Sequence, residues 1–137
     1  LRTMSVRLER ITQTTSTIAD FLKQQPQIES IIYPFDESFD QYELANNQMK
    51  PVGGLVTIIL QTREREKIVQ FCERLQHFLI AVSWGGHESL VLPKCAGIPA
   101  EQFNPEDKWH RSVRLYFGLE EPDYLIKDLS QALRQLT

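Results

Sequence analysis

The sequence has 137 residues, 42% hydrophobic and 24% charged, with a formal net charge of −3. This suits one globular domain with a modest core and excludes a disordered chain. No basic excess favours nucleic acid or an anionic membrane surface, and no apolar run approaches the roughly 18–20 residues of a membrane span.

The chain opens "LRTMSVRLER", already in helical rhythm, with neither an initiating Met nor a capping residue ahead of it. It reads as the middle of something longer. Met4, Leu8, Ile11, Thr15, Ile18 and Leu22 recur by threes and fours, predicting one face of a long helix over 1–25. Pro26 stops it, because proline disfavours helix in the preceding residue. "IESIIYP" reads as a short strand, and "FDESFDQYELANNQM" as surface loop with room for a helical turn. "GGLVTIILQT" is apolar and β-branched, a buried strand. "TREREKIVQFCERLQHF" predicts an amphipathic helix, with Thr62 as its cap, Glu64 and Glu66 in its first turns, and Cys72 in the core.

"FLIAVS" and "ESLVL" read as two further strands, and "PKCAGIPAEQFNPEDKWH" as loop. "RSVRLYFG" alternates: Val113, Leu115 and Phe117 on one face, Ser112, Arg114 and Tyr116 on the other. Pro122 opens a last helix with an apolar stripe from Leu125 to Leu136. The order lacks strict strand–helix alternation. It predicts an α+β fold, with a mixed, mostly antiparallel sheet and helices on one face.

Two features can carry chemistry. Arg114 sits mid-strand on the polar face, where its planar fork suits a carboxylate; it is equally a surface arginine paired with a nearby acid. "SWGGHES" breaks a strand-like run with Gly85 and Gly86, which admit close approach or a left-handed backbone; it is equally a hairpin or bulge turn. His77, His87 and His110 show no ligand spacing, so no metal is expected. Cys72 and Cys95 form no C-x-x-C pair and are too few for a disulfide framework, which points to the cytoplasm.

Several stretches together resemble the C-terminal region of the pyridoxal-phosphate enzymes of cysteine and methionine metabolism, which include cystathionine γ-synthase, γ-lyase and β-lyase. "SWGGHESL" is similar to the family's Ser-x-Gly-Gly-x-Glu-Ser-Leu signature, and "VRLYFGLEEPDYLIKDL" to its Val-Arg-Leu…Gly-Leu-Glu ending. "LRT…RLER", "FLKQQPQIESIIYP" and "ELANNQM…GGLVTIIL" support them in order. The resemblance implies the small C-terminal domain of a fold-type I enzyme. Arg114 would grip the substrate α-carboxylate, Ser83 would help orient cofactor and substrate, and Trp84 would line the pocket. Gly85 and Gly86 would keep its wall small, and Glu88 would act structurally.

The departures are as informative. Lys23, Lys50, Lys67, Lys94, Lys108 and Lys127 all lie outside the family's Ser-x-Thr-Lys context, and "VLPKCAG" replaces its Pro-x-x-Met-Thr-His run. The resemblance therefore implies part of an enzyme acting on cystathionine-type sulfur amino acids by β- or γ-elimination or γ-replacement. Pyridoxal phosphate would be held by a separate N-terminal domain, the 137-residue chain would be inactive and cofactor-free alone, and the whole would be a cytoplasmic homo-oligomer. The alternative is a free-standing α+β binding or assembly module that shares the fold.

Overall fold

A computed structural model describes residues 2–51 and 53–136. Five strands form one sheet: β1 (Ile28–Ile32), β2 (Leu55–Leu60), β3 (Leu79–Ile80), β4 (Leu90–Pro93) and β5 (Ser112–Tyr116). Their order is β1-β2-β5-β4-β3, antiparallel throughout except for the parallel β3–β4 pair at one edge. Helices α1 (Met4–Lys23), α3 (Arg65–Arg74) and α4 (Pro122–Leu133) pack on one face, as the element order predicted. Among the described residues no helix is long and apolar enough to cross a membrane.

The core follows from the period-two pattern of the central strands. Val113, Leu115 and Phe117 meet Val56, Ile58 and Val91 under the helices, all fully or almost fully buried. Facing them are Ile18 and Leu22 of α1, Ile68 and Phe71 of α3, and Leu125 and Leu129 of α4. The stripe on α1 is fully buried only from Ile11 onward; Met4 and Val6 stay exposed, and Leu8 is half-buried beside Leu55 and Tyr116. Thr15 fits the stripe because its hydroxyl donates to the Ile11 carbonyl at 2.7 Å, satisfying itself within the helix.

Three local expectations change. Residues 42–48 form a short helix, α2 (Tyr42–Gln48), rather than loop. Thr62 does not cap α3: its hydroxyl accepts the Glu64 N–H at 3.2 Å, and the helix starts at Arg65 with Glu64 as cap residue. The segment after β4 contains two single 3₁₀ turns, Lys94–Gly97 and Ala100–Gln102. Pro122 does open α4, where a missing N–H costs nothing.

A polar cluster around the buried Arg111 ties β1 to the start of β5. The register of β1 against β2 steps between Ile28 and Ser30, leaving Glu29 in a bulge. The Glu29 carboxylate meets Lys108 Nζ and Arg111 Nη2, each at 2.7 Å. Arg111 is 3% exposed at its side chain and also donates to the Leu60 carbonyl. Hydrogen bonds from Lys108 and then Arg111 hold the Glu29 pKa below the usual carboxylate value, against the opposing effect of burial.

Because the folded-state pKa is depressed, Glu29 contributes stability that is full above its unfolded pKa of about 4.3 and is lost as pH falls through the folded value. Urea midpoints measured from pH 6 to pH 3 should therefore fall less steeply for Glu29→Gln than for the parent. Identical slopes would show that Glu29 is not among the groups that drive acid unfolding.

Candidate functional site

The sheet face opposite the helices is open only around its centre, where β5 places Arg114; Ile59, Ser112, Tyr116 and Leu90 on the same face are buried. Thr57 of β2 and Leu92 of β4 are its direct cross-strand neighbours. Arg114 Nη2 donates to the Val82 carbonyl and, at 3.4 Å, to the Ser83 carbonyl. No acid pairs with Arg114 among the described residues. Its Nη1 and Nε donors take no part in these bonds, so part of the fork remains available.

Residues 81–89 join two parallel strands, so the hairpin alternative fails: Leu79 N–H bonds the Ser89 carbonyl and Ala81 N–H the Val91 carbonyl, a parallel ladder. Gly85 adopts φ of 88°, a left-handed backbone that glycine accepts most easily. Gly86 does not, and a β-carbon there would meet only the flexible Glu88 carboxylate closely. Ser83 is exposed, and Trp84 is 63% exposed.

The loop is stitched to β5 and the turn after it. Tyr116, on the Arg114 face, donates its hydroxyl hydrogen to the Gly86 carbonyl at 3.0 Å; burial raises its pKa. The Glu120 carboxylate accepts the Ser89 N–H at 2.9 Å and its hydroxyl at 2.8 Å. Ser89 Oγ in turn accepts the Gly118 N–H at 3.0 Å, and the His87 carbonyl accepts the Leu119 N–H at 2.9 Å. Tyr116, Ser89 and Glu120 were not singled out from the sequence. Only the Tyr116 signal was present there, two residues from Arg114 on one strand face. Glu88 lies 3.3 Å from the His87 ring nitrogen, and the carboxylate that holds the loop is Glu120.

The structure therefore brings Arg114 and Ser83 together. Trp84 and Gly85 line a different cleft, an apolar one shared with Leu8, Tyr33, Met49 and Tyr116. Thr57, Leu92, Lys94, Trp109, Ser112 and Arg114 line the cleft on the open sheet face, and no residue lines both. Cys72 and Cys95 are buried and unpaired; burial pushes both thiols up, away from the reactive thiolate.

The family model for Cys/Met metabolism PLP-dependent enzymes matches residues 1–134. The chain belongs to this family. It is 35% identical to a cystathionine gamma-lyase of Dictyostelium discoideum and 37% identical to an L-methionine gamma-lyase of Pseudomonas putida. These matches cover 97% and 98% of this chain but 35% and 34% of those proteins. It also resembles the solved structure of metB from Corynebacterium glutamicum, with TM-score 0.85 and 28% identity over 100% of this chain and 36% of that one. The chain thus spans about a third of the length of the relatives it matches.

The residues present fit one part of such an enzyme's task. A guanidinium with free N–H groups, on a rigid strand, suits a substrate carboxylate. The same cleft does not suit pyridoxal phosphate itself. Its lining holds no carboxylate to face a pyridine nitrogen. Lys23, Lys67 and Lys108 are each committed to a carboxylate elsewhere, and Lys94, which does line the cleft, stands in "VLPKCAG" and not in the family's Ser-x-Thr-Lys context.

Proposed function

We propose that this chain is the substrate-binding C-terminal part of a PLP-dependent enzyme acting on sulfur amino acids, by β- or γ-elimination or γ-replacement. The observation that carries the reading is Arg114, mid-strand on the open sheet face, with no acid opposite it and the Ser83 backbone alongside. When bound, the cofactor stabilises negative charge at the amino acid's α-carbon. This chain's part is to bind and orient: Arg114 holds the α-carboxylate, and Ser83 stands beside it. Trp84 and Gly85 line the neighbouring apolar cleft, and the Gly86 carbonyl anchors their loop to Tyr116. Catalysis needs a cofactor-bearing domain outside these residues, and the exposed apolar side chains Trp84, Val82, Leu79 and Ile80 support a covered position in the complete enzyme, a cytoplasmic homo-oligomer.

In the complete enzyme, Arg114→Lys keeps the charge but loses the fork. Its kcat/KM for the amino-acid substrate should fall more than about tenfold, the equivalent of one charge-assisted bidentate contact. An unchanged kcat/KM would remove Arg114 from the site. The 137-residue chain mixed with pyridoxal phosphate should show no stoichiometric, lysine-linked absorption band; such a band would overturn the division of labour proposed here.

A further inference from the structure

Among the described residues, Lys94 is the one other cation lining the Arg114 cleft. It stands just beyond β4, in the first residue of a 3₁₀ turn, two positions after Leu92, the direct cross-strand neighbour of Arg114. Its side chain is exposed and forms no ion pair among the described residues. The remaining lining consists of Thr57, Leu92, Trp109 and Ser112, none of them acidic. Thr57 supplies a hydroxyl, whereas the Ser112 hydroxyl already donates to the Trp109 carbonyl at 2.7 Å. Two cations without a facing acid in one cleft make a site for two negative groups, because each would otherwise be neutralised only by solvent ions. The cleft volume, about 520 Å³, lies within the usual small-molecule range of about 300–1,000 Å³.

We infer that Lys94 is a specificity-determining residue: it receives a second anionic group of a ligand whose first carboxylate sits on Arg114, selecting substrates that end in an acid. This rests on the reading of Arg114 as the carboxylate clamp. The turn fixes where the Lys94 stem begins, and its flexible four-carbon chain lets it serve acids of more than one length. Selection by a solvated lysine is modest and salt-sensitive, which sets the size of the expected effect.

The test uses the 137-residue chain, with succinate, glutarate and butyrate as probes, followed by backbone amide NMR titration at low ionic strength. The better of the two dicarboxylates should bind about two- to fivefold more tightly than butyrate. The shifts should centre on Arg114, Leu92 and Lys94, and the preference should shrink as salt is raised. Lys94→Gln, an exposed change, should abolish the preference, weakening the dicarboxylates more than butyrate. A preference unchanged in Lys94→Gln, or absent from the parent chain, overturns the role of Lys94 alone. Butyrate binding that is absent, or that survives Arg114→Gln unchanged, overturns the clamp reading and this inference with it.

Discussion

Glu29→Ala is expected to destabilise the fold by about 2 kcal/mol, between the cost of breaking a surface pair and a fully buried one, because Arg111 is buried while Glu29 is 24% exposed. The reason lies in what is left behind. The Arg111 side chain is 3% exposed, and without Glu29 its guanidinium keeps only the Leu60 carbonyl as acceptor. Its Nε is already without a hydrogen-bond partner. Lys108 is the contrast: it meets the same carboxylate but is 63% exposed, so Lys108→Ala should cost no more than about 1 kcal/mol. Removing both charges as Glu29→Leu with Arg111→Met should recover most of the loss, since an apolar pair carries no desolvation cost. Urea unfolding of the parent and the three variants decides the matter. A Glu29→Ala cost below about 1 kcal/mol would mean that water reaches Arg111 and that the pair is only a surface contact. The result bears on function because Arg111 directly precedes β5, and its carbonyl accepts the Leu60 N–H at 3.2 Å. The pair therefore fixes the start of the strand that presents Arg114 three residues later.

How far the sequence reaches is visible in particular residues. The strict alternation of "SVRLYF" was legible, and with it the burial of Val113, Leu115 and Phe117 and the outward placement of Arg114. Period-two patterning reports on one strand's own two faces, but it does not report what covers the outer one, where Ser112 and Tyr116 are buried and only Arg114 stays half-buried. The β3–β4 connection was not legible. Gly-Gly between short apolar runs is ordinary hairpin chemistry, and what decides against it is a bond from Leu79 to Ser89, whose partner strand only the assembled sheet supplies.

Asp128 shows the same limit inside a helix. It falls beside the apolar stripe of α4, yet it is buried, and its carboxylate accepts the Gln76 and His77 N–H groups where the chain leaves α3. A buried acid is tolerated when backbone donors satisfy it, and those donors lie some fifty residues earlier in the chain. In the site, Arg114 and Ser83 were found as residue types on a strand and beside a glycine pair. The Ser89–Glu120 link that holds them in place joins residues 31 apart and has no local signature.

That link makes Gly118 the most constrained position near the site, and Gly118→Ala is expected to cost about 3 kcal/mol or more. A β-carbon at Gly118 would lie 2.1 Å from the His87 carbonyl oxygen and 2.7 Å from the Glu88 carbonyl carbon, with Glu120 Oε2 at 2.6 Å. Two of these three atoms are backbone, so no side-chain rotation relieves the clash, and residues 87–88 must move away from the end of β5. The movement breaks the Leu119–His87 bond and strains the Gly118–Ser89–Glu120 chain. The loop from Ser83 to Gly86 then loses its anchor at one end and keeps only Tyr116 and Arg114. Two other glycines calibrate the experiment. A β-carbon at Gly97 meets nothing within 4 Å, and one at Gly86 meets closely only the mobile Glu88 carboxylate, so Gly97→Ala and Gly86→Ala should each cost far less. In Gly118→Ala, amide exchange should accelerate at Ser89 and Leu119 before it does at Val113 or Leu115 in the core. A stability loss below about 1 kcal/mol, or exchange that accelerates evenly across β5, would show that the loop is held by something other than its contact with Gly118.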